Sequence, residues 1–292
     1  MILITTPSGD IGSRVLQNVL KHRNDVRVIA RTPSSLPESL RGRVEVVEGS
    51  HSDPDVIGRA ISGVESVFWL PPGNPDSPSA KAAYVEFSRA FCAALAGSGV
   101  THVVGISALG RGWPKPAGLV TASLQMDDMI GSTGVNYRAL TCASLMDNIQ
   151  RQAGPILSDG VFYQPTPARL KMPHVAKADV AAVASGLLLA PDWQGVQEVA
   201  LMGPEDISFE EMAEVMSGVL GRPVRYQEMP MDQFAAMMAS MGASDGMVQA
   251  YVDMLTAKNE GMDTATGPSA RTATPTTFRQ WCEIEFGPLV AA

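Results

Sequence analysis

Short apolar runs alternate with helix-periodic stretches along the first half of the chain. Ile2-Leu3-Ile4 reads as a buried strand, and after a small-residue turn Ile11, Val15, Leu16, Val19 and Leu20 recur on one helix face. Val26 to Ala30, Val44 to Val47, Val64 to Leu70, His102 to Ile106 and Val135 to Leu140 read as further strands. Pro54 to Ile61, Ala80 to Ala96 and about Ala122 to Ser132 predict helices between them. Strands alternating with helices predict an α/β fold: a doubly wound parallel sheet covered on both faces.

Beyond Asn148 the texture changes. Pro155, Pro165, Pro167 and Pro173 interrupt the chain, and an alanine-rich helix follows from Asp179 to Ala190. Gln197 to Met202 predicts a late strand that returns to the sheet. Ser208-Phe209-Glu210-Glu211 has the form of a capping box opening a helix to about Leu220. Methionine-rich helices run on to Lys258, and Thr274 to Phe278 reads as the start of a last helix. This predicts a nucleotide-binding Rossmann-type unit over 1–152 and a smaller, mostly helical substrate unit over 153–292.

Composition narrows the function. With 292 residues, 45% hydrophobic and 18% charged, the chain can bury a sizeable core. It has no apolar run long enough for a membrane span, and no basic segment precedes the first apolar stretch, so a cytoplasmic protein is expected. The net charge of −8 disfavours nucleic-acid binding. Cys92, Cys142 and Cys282 are widely spaced, and the four histidines are scattered, so neither a disulfide framework nor a metal site is expected.

The first candidate chemistry lies in Thr6, Ser8, Gly9, Asp10, Ile11 and Gly12, between the first strand and the first helix. That geometry aims backbone N–H groups and the positive helix end at a pyrophosphate. Gly9 would let the backbone approach the phosphates, and Gly12 would let helix and strand pack closely. Thr6 stands where a dinucleotide fingerprint has glycine, and Pro7 removes a donor. Arg31 ends the second strand, 19 residues after Gly12, where the ribose is read. An arginine there suits the 2′-phosphate of NADP(H); the alternative is a solvated surface arginine.

These segments, taken in order, resemble the NmrA-like group of atypical short-chain dehydrogenases/reductases over nearly the whole chain. The phosphate loop resembles TGATGxxG, Gly49-Ser50-His51-Ser52-Asp53 resembles GDxxD, and Val103 to Gly110 resembles the strand that ends in serine beside the nicotinamide. Asp127 through Asn148 resembles ExxLxxSGxxYTxLRPxxFMxN, and Pro173 to Val180 resembles the aspartate segment before an alanine-rich helix. The resemblance implies NADP(H) as cofactor, contacted also by Ser50, His51, Leu70, Pro71, Ser107 and Ala108. It implies either reduction of quinones, triphenylmethane dyes or polyketide ketones, or NADP(H) sensing without turnover. An epimerase or isomerase is a third reading.

The Tyr-x-x-x-Lys pair of ordinary short-chain reductases is absent: four residues after Tyr84, Tyr137, Tyr163, Tyr226 and Tyr251 stand Ser88, Thr141, Pro167, Pro230 and Leu255. Ser123, Leu124 and Gln125 occupy the helix where many relatives carry the lysine. Ser107, Ser123 and Gln125 are therefore the candidate catalytic groups, each with a structural or solvated role as its alternative. Asp127 and Asp128 read as surface charges, and His51 as too far away for proton transfer. A quinone, whose reduced form is a phenol, or an aromatic ketone with a neighbouring hydroxyl needs no strong protein acid, so substrate-assisted reduction is expected. Eleven of 16 methionines lie between Met202 and Met262. Met229 and Met238, with Trp113, Cys142 and Met146, are candidates to line a pocket for a flat aromatic substrate; ordinary core is the alternative. A monomer and a homodimer both fit.

Overall fold

The computed structural model describes residues 1–265 and 271–291. Its first half runs β1 (Ile2–Ile4), α1 (Asp10–Leu20), β2 (Val26–Ala30), α2 (Glu38–Arg41), β3 (Glu45–Glu48), α3 (Pro54–Ile61), β4 (Ser66–Trp69), α4 (Phe87–Leu95), β5 (His102–Ala108), α5 (Leu119–Gly131) and β6 (Asn136–Cys142). Then come β7 (Ser144–Leu145), α6 (Ala153–Asp159), β8 (Val161–Gln164), β9 (Met172–Val175), α7 (Lys177–Leu189), β10 (Val196–Met202) and β11 (Asp206–Ile207). The chain closes with α8 (Phe209–Leu220), β12 (Arg225–Glu228), α9 (Met231–Ser240), α10 (Asp245–Asn259), β13 (Arg271–Ala273), α11 (Phe278–Trp281) and α12 (Gly287–Ala291).

Eight parallel strands form one sheet in the order β13-β10-β6-β5-β4-β1-β2-β3. Strand order reverses between β1 and β4, and ligands of such sheets bind beyond the strand C-termini at that switch. Alternation along each strand serves two cores. Ile2 and Ile4 pack with α1 and α7 on one face, whereas Leu3 and Ile29 pack with α3, α4 and α5 on the other.

The division at residue 152 is not a clean cut. α7 shares the core of α1, and β10 pairs with β6 from Val196 to Leu201. Residues 177–202 therefore complete the layer built on the eight-stranded sheet. A separate core gathers Phe162, Phe209, Met212, Phe278, Trp281 and Phe286 around α8 and α11. Ser208 caps α8 in the expected box with Glu211, and Thr277 with Gln280 does the same for α11. The long helix expected from Ala80 is interrupted by a π turn at Ala82–Glu86. Among the described residues no helix is long and apolar enough to cross a membrane.

Candidate active site

The loop after β1 is built around two hydrogen bonds of one threonine hydroxyl and one missing side chain. Thr5 is fully buried; its Oγ1 donates to the Phe68 carbonyl at 3.0 Å and accepts from the Leu70 N–H at 2.9 Å. The loop is thereby stitched to the end of β4, beside Leu70 and the buried Pro71. Thr6 follows with φ 48°, the left-handed conformation that a fingerprint glycine would adopt freely and a β-branched residue adopts under strain. The Gly9 N–H donates back to the Thr6 carbonyl at 3.0 Å, and Gly9 caps α1 without a side chain. A Cβ on Gly12 would lie 2.1 Å from that same carbonyl oxygen. The first turn of α1 thus closes directly onto the loop backbone.

Asp10, in this first turn, accepts from Lys177 Nζ at 2.5 Å, and the lysine holds its carboxyl below the usual carboxylate range. Lys177 is buried, and its backbone N–H is fixed by Asp147 at 3.0 Å. A lysine one residue inside an alanine-rich helix gave no sequence signal; only the packing of α7 on α1 brings it here.

Directly after β2, Arg31 is exposed and makes no hydrogen bond or ion pair among the described residues. His51 is buried edge-on against Trp69 and Phe87, with centroids at 5.8 and 5.2 Å. Its ring nitrogens meet no side-chain partner among the described residues, and the Leu70 backbone alone favours its charged form. Burial, and then the charge of Arg31, push it down to about 4, so it is neutral at pH 7. Ser50 meets Ser52 at 2.9 Å, and Asp53 caps α3. A glycine-closed loop and an exposed, unpaired cation at the end of β2 fit a phosphorylated dinucleotide.

A cavity of ≈ 250 Å³ opens past the ends of β5 and β6, lined by Ser107, Ala108, Cys142, Asn148, His174 and Lys258 among others. Ser107 leads into a buried network. Its Oγ lies 3.2 Å from Ser123 Oγ and donates to Asp127 Oδ2, while Tyr137 OH donates to Asp127 Oδ1 at 2.6 Å. Asp127 is 3% exposed, and burial pushes its carboxyl up to about 7 against the opposing pull of these hydrogen bonds. Tyr137 is fully buried and raised well above its ordinary value by burial and by Asp127. A Cβ on Gly105 would lie 2.2 Å from the Tyr137 hydroxyl, so β5 makes room for that ring only as glycine.

Several expectations are corrected. Asp127 is not a surface charge: it sits one turn beyond Ser123 on the inward face of α5, with Met126 and Ile130. That spacing was the available signal. Asp128 is exposed and pairs with Arg111 at 2.9 Å. Gln125 faces outward into a different hollow shared with Trp113, so neither joins Ser107. Trp113 packs instead with Val120 and Met262. Met229 and Met238 are half-buried and do not line the cavity; Met146 is in the C-terminal core. The methionines that do line it are Met172 and Met254.

Two lining groups escaped the sequence reading. Lys258, from α10, pairs with the buried Asp263 at 2.5 Å. His174, from β9, donates from Nδ1 to the Met172 carbonyl at 3.1 Å, which leaves Nε2 as an acceptor. Burial is the main cause that pushes His174 down to about 4.

The family model described as NAD(P)H-binding matches residues 8–191. The chain belongs to that family. It is 32% identical over 237 residues to a (4-alkanoyl-5-oxo-2,5-dihydrofuran-3-yl)methyl phosphate reductase of Streptomyces griseus, covering 80% of this chain and 78% of the relative. It is 26% identical over 254 residues to an NAD(P)H azoreductase of Xenophilus azovorans, covering 87% and 86%. In fold it is similar to an NADPH-dependent quinone oxidoreductase of Escherichia coli solved with NADPH, at a TM-score of 0.80 and 22% identity, covering 98% of this chain and 100% of the other. The protein is an NAD(P)H-dependent oxidoreductase of the NmrA-like, atypical short-chain type.

Proposed function

We propose that this protein is an NADPH-dependent reductase of quinones or polycyclic aromatic, polyketide-type ketones, working without a Tyr-Lys pair. The observation that carries the reading is the cavity at the ends of β5 and β6, which presents Ser107 beside mostly apolar walls. Its size and lining suit a small, flat, conjugated acceptor. The relatives named above act, by their names, on an alkanoyl-dihydrofuranone methyl phosphate, an azo compound and a quinone, all conjugated electrophiles.

The cofactor, when bound, supplies the hydride. The loop from Thr6 to Gly12 would hold its pyrophosphate, Arg31 its 2′-phosphate, and Ser50, His51, Leu70 and Pro71 its adenosine side. Ser107 and Ala108 would meet the nicotinamide end. Leu255 and Met254 of α10, together with Ile149 and Phe209, line the cavity and would keep water from the reacting carbon. Such alignment in a dry site contributes roughly 7–11 kcal/mol to rate enhancement.

Arg31→Ala should weaken NADPH binding about 10–100-fold, the size of a lost charge-assisted hydrogen bond, and leave NADH binding within about 3-fold. Equal losses in fluorescence titrations would remove Arg31 from the 2′-phosphate. The activity is tested by following NADPH consumption against simple quinones, hydroxyanthraquinones and polycyclic ketones, with NADH in parallel. Consumption with one conjugated class is expected. Tight NADPH binding without consumption by any acceptor would favour the second reading, an NADP(H) sensor, to which the missing Tyr-Lys pair points.

A further inference from the structure

We propose that Asp127 stores the proton consumed in the reduction and delivers it through Ser107 to the substrate oxygen, refilled from a separate hollow open to solvent. The proposal rests on the reductase reading above. It replaces the expectation that the substrate must supply its own proton.

Ser107 lines the substrate cavity but Asp127 does not. Asp127 lines a second hollow of ≈ 470 Å³, together with Arg111, Asp128, Tyr137 and Glu198. The carboxyl therefore stands between the two spaces, with Ser107 Oγ as its neighbour on the cavity side. Tyr137 OH occupies Oδ1 at 2.6 Å, which leaves Oδ2 for exchange with Ser107. Ser123 Oγ, 3.2 Å from Ser107 Oγ, holds the serine hydroxyl in place.

The step balances. In the acid form Asp127 donates to Ser107 Oγ, and the Ser107 O–H points at the substrate oxygen. As the hydride reaches the acceptor carbon and the electron pair moves onto oxygen, that oxygen takes the serine proton and the serine takes the Asp127 proton. Asp127 is left as a carboxylate and regains a proton from water in the second hollow. The sum is one hydride from the cofactor and one proton from solvent per acceptor reduced.

The charged groups around Asp127 keep both of its forms accessible. Glu198 of β10 raises it and Arg111 lowers it, but Arg111 is itself tied to Glu198 and Asp128. Tyr137 of β6 and Ser107 of β5 donate to it, and Cys92 of α4 shares the core with Tyr137. Ser107 is the catalytic residue in this scheme and Asp127 a positioning residue acting through it. A mere strut joining α5 to β5 and β6 would use the same hydrogen bonds but would leave no mark on the pH dependence of the rate.

The test is the pH profile of kcat/KM with 1,4-naphthoquinone and with a hydroxyanthraquinone, for the wild type, Ser107→Ala, Ser107→Thr and Asp127→Asn. NADPH affinity and melting temperature serve as the check on folding. The wild-type rate should fall about tenfold per pH unit above about 7, because the acid form is the active one. Ser107→Ala and Asp127→Asn should each lose about 10²–10³-fold and lose that limb, and the double variant should be no slower than either single one. Ser107→Thr, which keeps the hydroxyl, should stay within about tenfold of the wild type.

Glu198→Gln guards against an Asp127 variant that fails to fold. Removing that negative charge should shift the limb to lower pH with little change in the plateau rate. An active wild type whose Asp127→Asn and Glu198→Gln variants keep the same rate and the same pH limb overturns the relay and leaves the reductase reading intact. A loss of only about tenfold in Ser107→Ala, with no limb near 7, does the same in favour of a substrate-derived proton. A folded wild type that reduces no acceptor overturns both.

Discussion

Gly12→Ala should cost at least about 100-fold in NADPH affinity and about 2–3 kcal/mol in stability. The added Cβ would sit 2.1 Å from the Thr6 carbonyl oxygen, 2.8 Å from its carbon and 3.0 Å from the Thr5 oxygen. All three are backbone atoms, so no flexible side chain can swing away. Either α1 lifts off the loop or the loop flattens. Lifting α1 disturbs Val15, Leu16 and Val19, which are fully buried against β1 and β2. Flattening the loop turns the N–H groups at the helix start away from the place where a pyrophosphate would lie.

Thr6→Gly runs in the opposite direction. It relieves a left-handed threonine at a cost of about 1–2 kcal/mol to the wild type, partly offset by the greater backbone freedom of glycine. Urea unfolding and NADPH fluorescence titration read both variants. A Gly12→Ala protein as stable and as tight-binding as the wild type would mean that the helix start is not packed this closely.

The same locality explains why the sheet was legible in the sequence. β1, β2 and β4 are buried on both faces, so they are apolar but for Arg27 and Ser66, and such runs are distinct from the helix periodicity between them. The later strands carry no such signature. β12 is Arg-Tyr-Gln-Glu with its polar residues exposed, and β9 contains Pro173; each belongs to a small sheet that is largely edge.

The site divided along the same line. Residues whose position follows from chain direction, such as the Gly9–Gly12 loop after β1 and Ser107 near the end of β5, lie where the strand pattern puts them. Residues placed by packing between distant segments were not. Lys177 reaches Asp10 across 167 positions, and Lys258 reaches the cavity only because α10 folds over α5. Asp127 was misread because it stands beside Asp128, and two adjacent acids look like solvated charge unless the helix face is resolved residue by residue. The methionine excess misled in a different way. α9 has no fully buried residue, so most of its methionines cover surface rather than line the cavity.

Lys258→Met should destabilise the protein by about 3–5 kcal/mol, the cost of leaving a buried charge without its partner. The pair spans 2.5 Å, with side-chain exposures of 9% for Lys258 and 1% for Asp263. Asp263 Oδ1 has no hydrogen-bond partner among the described residues, so the lysine supplies most of what stabilises this carboxylate. Against a total stability of 5–15 kcal/mol for a typical domain, this single change should be visible as a large fall in the urea midpoint.

Removing both charges, in Lys258→Met/Asp263→Leu, should recover most of the loss, because an apolar pair of similar volume avoids the desolvation that the ion pair must overcome. The two single variants and the double variant close a cycle whose coupling energy should exceed about 2 kcal/mol. Lys258 also lines the cavity beside Leu255 and Met254, so the double variant should be stable yet raise KM for the acceptor while leaving NADPH binding unchanged. Additive single losses with no recovery would mean that the two side chains act separately. An unchanged KM in the stable double variant would place the acceptor away from the α10 wall.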